Sequence, residues 1–507
     1  MKKRVMKTVV GALLVSACIS NVSKAEEVTK DPVVVLYDGP STLADATEED
    51  IAAASEANRD IKLKHCTDTT IKVNGQECYV YDTNVNLSRS WNPDYQPELS
   101  RTPITYFDFE GEVEIEVTVP KIELEQVTVS PLSYEIEPEI DAENHTVTFT
   151  VTEPDTYTVL FNDSPERAVH IFANPLEENV PDLEDENVVY IGPGEWDKGT
   201  IVLEEGQTLY IAGGAVVYGR VLAEGANDIT IMGRGIIDGS KFPGWKAQAP
   251  FVSLEINACS NVNVKDIIVL NPNCWVCQGY ETEDMVIDGL KIISCRPNGD
   301  GISLQSCRNV DVKNSFVRSW DDSLVVKNYY RNSNNISFTN MQLWTDFAQS
   351  MEVGYETNKG RMEDSSITDI VFEDICVLHN YHKPVISIHN GDDAVVSDIT
   401  FRNVTVEDAQ MGSGDGDVMP YLIDLNIAQS GIWSSTEDRG TIENVTIDQV
   451  NVIAGKFCPS RINGYDAEHK VSNVTISGLT ILGEKIESGE QGKFEINTET
   501  TENIIFN

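Results

Sequence analysis

Three aspartates near the middle of the chain have the residue type and spacing that acid–base chemistry requires. Asp300 lies within Asn298-Gly299-Asp300-Gly301, and Asp321 and Asp322 follow, the latter 22 residues after Asp300. Asp300 and Asp322 each precede a short apolar run of strand type. If they occupy the same position in successive units of a repeat, their carboxylates lie close together. Three close carboxylates cannot all ionise cheaply, so at least one pKa is expected to be raised, as a general acid requires.

Clustered carboxylates are typical of more than one kind of site. An inverting glycosidase uses one carboxylic acid to protonate the leaving oxygen and one or more carboxylates to activate water, with acid and base about 6.5–9.5 Å apart. A solvated acidic cluster or a Ca²⁺ site gathers carboxylates in the same way. The spacing of the aspartates alone leaves these interpretations open.

A repeat fills the second half of the chain and would position the aspartates. Nine segments share an Asn or Asp followed by alternating apolar residues; they begin at Asp228, Asn261, Asp284, Asn309, Asn335, Asp369, Asp398, Asn444 and Asn473. Units of roughly 22–30 residues with strand-type runs and no helical period are typical of a β-solenoid. Leucine-rich repeats are the competing architecture, but their L-x-x-L-x-L pattern is missing. The repeat therefore predicts a right-handed parallel β-helix.

The first part of the chain lacks this repeat. Residues 112–119 alternate polar and apolar side chains, and two more alternating runs flank the turn Glu153-Pro154-Asp155. Short alternating strands separated by turns predict a β-sandwich. We therefore expect an all-β chain with a signal peptide over residues 1–25, a β-sandwich accessory domain over 26–172 and a parallel β-helix catalytic domain over 173–507.

The N-terminal residues predict export. A positively charged start precedes an apolar run over residues 9–19, and Ser23-Lys24-Ala25 is a small-x-small cleavage site. Val15-Ser16-Ala17-Cys18 resembles a bacterial lipobox, so the alternative is a lipid anchor at Cys18. The protein is accordingly expected to be secreted or periplasmic, or else a lipoprotein on the cell envelope. No later apolar run reaches the roughly 18 residues of a transmembrane span.

The balance of charges restricts the partners. The chain has 37 Lys and Arg against 82 Asp and Glu, a net charge of −45. Such a surface repels polyanions, so no nucleic-acid partner is expected, and an acidic groove is a poor host for an acidic polysaccharide. The one C-x-x-C sequence, Cys274-Trp275-Val276-Cys277, lacks a second pair or spaced histidines. We therefore expect no metal site.

The aspartate motifs resemble those of a known family. Asn298-x-Asp300-Gly301, followed about one coil later by Asp321-Asp322, resembles the N-x-D and D-D motifs of glycoside hydrolase family 28, the polygalacturonases. The glycine-rich residues 213–239 are also similar to that family's first coils, and the likeness covers roughly residues 187–485. It implies that Asp321 is the general acid and that Asp300 and Asp322 hold the attacking water. It also implies that Asn298 orients the site, with no cofactor.

Two other motifs of family 28 are missing. Ala348-Gln349-Ser350 stands where G-H-G is expected, and Val385-Ile386-Ser387-Ile388 where R-I-K is expected. The basic pair associated with binding a galacturonate carboxylate is therefore absent at these positions. A β-sandwich followed by a β-helix instead resembles family 49, the dextranases and isopullulanases, which act on neutral α-glucans. The sugar is left open between the two.

The sequence thus predicts an exported, inverting, polygalacturonase-like hydrolase of a polysaccharide or oligosaccharide. The expected substrate-binding residues are Asn298, Lys327, Gln349, Glu352 and Trp320. Lys327 could meet a hydroxyl or an acidic group, and the indole of Trp320 offers a face on which a sugar ring can stack. Besides a dextranase-like hydrolase, the alternatives are a Ca²⁺-dependent β-helix polysaccharide lyase and a non-catalytic carbohydrate-binding solenoid.

Overall fold

The computed structural model describes residues 32–87, 98–243, 251–412 and 419–507. Helical structure within these ranges is limited to the α-helical turn Glu48–Ile51 and the 3-10 turns Glu56–Asn58 and Leu132–Tyr134. None of these helices has the length or hydropathy that crossing a bilayer requires. The signal peptide predicted for residues 1–25, with Cys18, lies outside the described residues.

Two sheets form the first part of the described chain. The larger sheet has the strands Val33–Leu36, Ala54–Ser55, Lys64–His65, Tyr81–Asn86, Glu98–Glu110, Val127–Ser130, Asp155–Phe161 and Ser164–Asn174. The smaller sheet has Thr70–Val73, Gln76–Glu77, Val113–Thr118, Glu139–Asp141 and Thr146–Val151. Apolar side chains of both sheets, among them Phe109, Ile115, Phe149 and Val159, form one buried core. This arrangement is the predicted β-sandwich.

The later strands coil into a parallel stack with three faces. Face A contains Leu254–Asn257, Cys277–Tyr280, Ile302–Gln305, Leu324–Lys327, Met351–Tyr355, Ile386–Asn390, Ile423–Ile427, Ser460–Asn463 and Phe494–Ile496. Face B contains Val188–Ile191, Thr208–Ile211, Asn227–Gly233, Ser260–Lys265, Glu283–Asp288, Arg308–Ser319, Ser333–Thr345, Ser366–Asn380, Val395–Val406, Thr441–Val452, Val471–Ser477 and Thr501–Phe506. Face C contains Ile236–Asp238, Ile268–Leu270, Lys291–Ile293 and Thr480–Ile481, and the longest face B strands continue onto it. Gly194–Leu203 and Ala215–Glu224 run from face C onto face A, and Glu484–Lys485 pairs antiparallel with Thr480–Ile481. The predicted all-β class, a parallel β-helix preceded by a β-sandwich, is confirmed.

The Asn and Asp residues that begin the nine repeats share one backbone conformation. All nine are left-handed, with φ between 53° and 58°. Asn and Asp enter this region more readily than other non-glycine residues, because their short polar side chains bond locally. Their side chains also connect successive coils: Asn335 Nδ2 donates to Asn309 Oδ1, and Asn309 Nδ2 donates to Asp284 Oδ1, both at 2.9 Å. The repeat in the sequence therefore marks the turns that keep the coils in phase.

The interior of the solenoid is a continuous apolar stack. Phe338, Phe372 and Phe401 lie on three successive coils, with ring centroids 4.8 and 4.9 Å apart and each pair of planes within 5° of parallel. One coil cannot bury its own apolar side chains, so each coil depends on its neighbours for burial. This stacking holds the turns between faces in a fixed relation to one another.

The sandwich packs against face C, close to the segment that carries the aspartates. Trp344 of face C belongs to an apolar cluster shared with the sandwich. Arg318 lies 3.2 Å from His170 of the sandwich and donates to Asp346 at 3.3 Å. Because Arg318 precedes Asp321 by only three residues, this contact restrains the chain as it enters the aspartate turn.

Candidate active site

The turn from face C to face A carries the three aspartates on two successive coils. The parallel register pairs Ile302 with Leu324. Asp300 and Asp322 therefore occupy the same position on adjacent coils, each two residues before its strand. The N–H of Gly301 donates to the carbonyl oxygen of Asp322 at 2.8 Å, which joins the two turns directly. The register thus brings together carboxylates that are distant in the sequence.

Two glycines flank Asp300, and neither position has room for a side chain. A Cβ atom at Gly301 would lie 2.4 Å from Val317 Cγ1 and 2.5 Å from the Ser323 carbonyl oxygen. One at Gly299 would lie 2.6 Å from the Arg296 carbonyl oxygen. A side chain at Gly301 would push the two coils apart, and one at Gly299 would collide with the backbone of its own turn, so neither position accepts a larger residue.

A row of buried hydroxyl groups supports the backbone of the turn. Ser319 Oγ donates to the carbonyl oxygen of Asp321 at 2.6 Å and lies 2.7 Å from Ser323 Oγ. Ser323 Oγ lies 2.7 Å from Thr345 Oγ1, which lies 2.8 Å from Ser350 Oγ. Since buried hydroxyls require partners, this continuous row fixes two adjacent coils relative to one another beneath the aspartates.

The aspartates face an open cleft with a volume of about 480 Å³. Its lining consists of Trp275, Asn298, Asp300, Trp320, Asp321, Asp322, Lys327, Phe347, Ala348, Gln349, Tyr355, Glu356, Lys383, Met419, Ser430, Ile432 and Trp433. Four of the five predicted substrate-binding residues are among them, and Glu352 is not. Three aromatic residues of this lining, Phe347, Tyr355 and Trp433, were not identified from the sequence.

Lys327 is a cation that lies directly beside the aspartates. Its Nζ lies 3.9 Å from Asp300 Oδ2 and 3.3 Å from Glu356 Oε2. Burial alone would lower the pKa of Lys327, but Glu356 and Asp300 outweigh it and raise the pKa well above its usual value. The ammonium therefore stays charged. The other oxygen of Asp300, Oδ1, is buried without a hydrogen-bond partner among the described residues and can accept a bond from water or substrate.

The three aspartates share raised pKa values. Burial, followed by the negative charge of Asp321, raises the pKa of Asp300 and Asp322 well above the usual range. Burial raises the pKa of Asp321 to about 6, against the opposing effect of Lys327. Because the groups interact strongly, the protons belong to the cluster rather than to one residue. The cluster therefore retains protons near neutral pH, as general acid catalysis requires.

Gln349 and Trp320 contribute to the cleft in ways that the sequence did not indicate. Gln349 contacts the site through its backbone, whose N–H donates to Asp322 Oδ1 at 3.1 Å. Trp320 is only 1% exposed and stacks on Phe347 with centroids 4.1 Å apart and planes 10° from parallel. Most of its indole surface is therefore used in the wall of the cleft.

Glu352 lies below the floor of the cleft in a row of alternating charges. Its Oε2 lies 2.8 Å from His389 Nδ1, and His389 Nε2 lies 3.0 Å from Asp424 Oδ2. Arg461 donates to both oxygens of Asp424, at 2.7 and 2.8 Å. We refer to these four residues as the charge row. Burial would lower the pKa of His389, but Glu352 and Asp424 raise it to about 10, so the imidazole is protonated.

Tyr355, which lines the cleft, covers the His389 imidazole of the charge row. Its ring stacks on the His389 imidazole with centroids 4.3 Å apart and planes 1° from parallel. Residues 385–388 lack the basic residues of the family 28 R-I-K motif. The structure instead shows a charged imidazole at His389, the next outward-facing position of the strand Ile386–Asn390. The alternation of strand Ile386–Asn390 was the available signal. The partners of His389 lie 37 and 35 residues away, on other coils.

Comparisons with known proteins agree with the fold and with the resemblance to family 28. The model of the family described as glycosyl hydrolases family 28 matches residues 219–496. A probable polygalacturonase from Vitis vinifera is 23% identical over 191 residues, which are 34% of this chain and 38% of that protein. The chain thus matches well under half the length of this curated relative.

Solved structures of glycosidases resemble the chain as well. Dex49A from Penicillium minioluteum has a TM-score of 0.62 at 13% identity and covers 93% of this chain and 98% of its own. The family 28 exopolygalacturonase from Yersinia enterocolitica has a TM-score of 0.44 at 14% identity, covering 78% and 96%. At such identities, the likeness to Dex49A shows a shared fold.

Proposed function

This chain belongs to family 28 of the glycosyl hydrolases, and on that premise we propose that it hydrolyses glycosidic bonds of a polysaccharide or oligosaccharide. The observation that carries the proposal is the position of Asp300, Asp321 and Asp322 on two adjacent coils, at the base of one cleft, with raised pKa values. Export is part of the same proposal and is supported by the signal-peptide pattern of residues 1–25.

In the proposed reaction, Asp321 is the general acid and donates its proton to the leaving glycosidic oxygen. Asp300 and Asp322 accept hydrogen bonds from a water molecule, and one of the two carboxylates takes its proton as it attacks the opposite face of the sugar, so the anomeric configuration inverts. The family motifs supply this division of roles. The shared position of Asp300 and Asp322 on adjacent coils supports it, because one water can contact both carboxylates.

The test compares two aspartate substitutions that remove the same charge. We expect Asp321→Asn to lower kcat by about 10²–10⁴-fold, the usual contribution of a positioned general acid. Asp311→Asn is the control. Asp311 lies in the strand Arg308–Ser319, which leads into Asp321, but it is on face B, outside the cleft, where it pairs with Lys313 at 3.4 Å. Reducing-sugar release is measured on polygalacturonate, rhamnogalacturonan, dextran, pullulan and host-type glycans. Equal rates for Asp321→Asn and wild type would refute the assignment of the acid.

The stereochemistry has a separate readout. Proton NMR of the first product formed from an α-linked substrate is expected to show the β-anomer before mutarotation. Initial formation of the α-anomer would contradict the inverting mechanism while leaving the hydrolytic function intact.

We also propose that the sandwich is an accessory domain that supports the solenoid. The carboxylate of Glu407, on the solenoid, accepts hydrogen bonds from Ser130 Oγ and the Leu132 N–H of the sandwich, both at 2.5 Å. Gln342 Nε2 donates to Asp155 Oδ1 at 2.8 Å across the same boundary. Buried polar contacts of this kind favour one fixed arrangement of the two parts.

A further inference from the structure

The charges in and below the cleft bear on which class of sugar it accepts. We propose that the cleft binds neutral sugar residues, and that its acidic lining and the neutralised charge row exclude uronates such as galacturonate. This inference rests on the hydrolytic function proposed above, because it concerns the substrate of the same site.

The lining of the cleft is acidic. Its ionisable acids are Asp300, Asp321, Asp322 and Glu356, against the cations Lys327 and Lys383. Even with one proton kept among the aspartates, the acids outnumber the cations. A uronate carboxylate would add a further negative charge to this enclosed space, where like charges repel strongly.

The cation beside the aspartates is already engaged. Lys327 contacts Asp300 and Glu356 at 3.9 and 3.3 Å, and it is only 6% exposed. To bind a substrate carboxylate, this ammonium would have to give up part of its attraction to two fixed carboxylates. Uronate binding gains little from such an exchange, because each new contact replaces an existing one.

The charge row gives the floor of the cleft no net positive charge. It contains two acids, Glu352 and Asp424, and two bases, His389 and Arg461, joined in alternation at 2.7–3.0 Å. His389 is 1% exposed, so a ligand meets the ring of Tyr355 instead of the imidazole. The imidazole is thus compensated and covered from the cleft, and Arg461, whose side chain is 26% exposed, is paired with both oxygens of Asp424.

What remains open to a ligand on this side is aromatic and apolar. Tyr355 presents the face of its ring that is not stacked on His389, and Trp433, 40% exposed, lies on the same lining. The C–H faces of a neutral pyranose pack on such rings, while its hydroxyls can bond to the carboxylates. The surface therefore suits a neutral sugar ring.

Binding measured with Asp321→Asn tests the inference separately from catalysis. The ligands are tetragalacturonate and neutral tetrasaccharides of glucose and of galactose, and the measurement is isothermal titration calorimetry. We expect at least one neutral tetrasaccharide to bind about tenfold or more tightly than tetragalacturonate, a difference of about 1.4 kcal/mol. The substitution removes a negative charge from the cleft, so it favours the uronate and makes the test stricter.

Asp424→Asn provides an independent test of the charge row. It leaves His389 and Arg461 with only one carboxylate in the row, that of Glu352. Tetragalacturonate should therefore bind several-fold more tightly to this variant than to the protein that retains Asp424. Glu373→Gln is the matched control, because it removes one negative charge from an exposed pair with Arg402 that does not line the cleft. Thermal melts establish that each variant is folded.

The outcomes separate the two proposals. Persistent reducing-sugar release by Asp321→Asn would overturn the catalytic assignment without bearing on the ligand preference. Tetragalacturonate binding that equals or exceeds that of every neutral ligand would overturn the inference. So would uronate binding that is lost in Lys383→Gln, since Lys383 would then be its partner. An unchanged uronate affinity in folded Asp424→Asn would show that the charge row does not exclude uronates, and the inference would fail.

Discussion

The positive charge of Lys327 partly opposes the rise in the pKa values of the cleft aspartates. Replacement of Lys327 by methionine therefore tests the electrostatics of the site. Its Nζ lies 3.9 Å from Asp300 Oδ2, and its positive charge favours the ionised forms of Asp300 and Asp321. Lys327→Met removes that charge and retains most of the volume of the side chain. The pKa values of both aspartates should therefore rise, and both limbs of the pH profile of kcat/KM should move to higher pH.

The size of the shift follows from the distance. Two unit charges about 4 Å apart interact by about 4 kcal/mol at an effective dielectric constant of about 20, which corresponds to about 3 pKa units. Glu356, 3.3 Å from the same ammonium, already offsets part of its charge. Water that enters the variant site screens the carboxylates further. We therefore expect a shift of about one pH unit in each limb, below the value for an isolated pair.

The assay is the pH dependence of kcat/KM on the most active substrate of the panel, for wild type, Lys327→Met and Lys327→Arg. The arginine variant keeps the charge and should follow wild type closely. Glu356→Gln should shift the profile in the opposite direction, because Glu356 raises the pKa of Asp300 and Asp321 and its loss lowers them. A profile that stays in place in Lys327→Met, or that moves to lower pH, would refute this reasoning.

Three further predictions concern stability. The pKa of His389 is raised from 6.5 to about 10, so its contribution to the free energy of unfolding is complete below pH 6.5 and lost as the pH rises towards 10. In urea unfolding, wild type should lose stability between these pH values, and His389→Gln should lack that loss. Phe372→Ala interrupts the phenylalanine stack and should cost about 3–5 kcal/mol in urea unfolding, whereas a loss below about 1 kcal/mol would contradict a packed interior. Glu407→Ala leaves the hydroxyl of Ser130 and the N–H of Leu132 unpaired and should lower the free energy of unfolding in urea by about 2–4 kcal/mol. No loss of stability would show that the sandwich is only loosely attached.

Local patterns made part of this structure predictable from the sequence. The left-handed turns require Asn or Asp at one point in each coil, so they leave a visible repeat, as at Asn309 and Asn335. The aspartate motif was readable for a similar reason, because Asp300 and Asp322 are separated by a single uninterrupted coil. The motif also carried the resemblance to family 28, which the comparisons confirm.

The charge row could not be predicted in the same way. Its members lie on four coils, with separations of 37, 35 and 37 residues between neighbours, and loops of unequal length intervene. An error of one residue in aligning two coils would place His389 inside the solenoid instead of outside. Glu352 was accordingly expected to contact substrate, although the structure shows it fully buried and paired with His389. The contacts between the sandwich and Glu407, 277 and 275 residues apart, had no sequence signal at all.

The cleft and the charge row deal with concentrated negative charge in two different ways. Parallel stacking places outward residues of successive coils about 4.8 Å apart, so acids at the same position on neighbouring coils cannot separate. Below the floor, each acid has a base on the next coil that compensates its charge. In the cleft, burial raises the pKa values of the aspartates, and Lys327, which is shared between Asp300 and Glu356, compensates their charge only in part. Retained protons are the consequence of that deficit. A second cation fixed among the aspartates would compensate the carboxylates and remove the proton that the general acid has to donate.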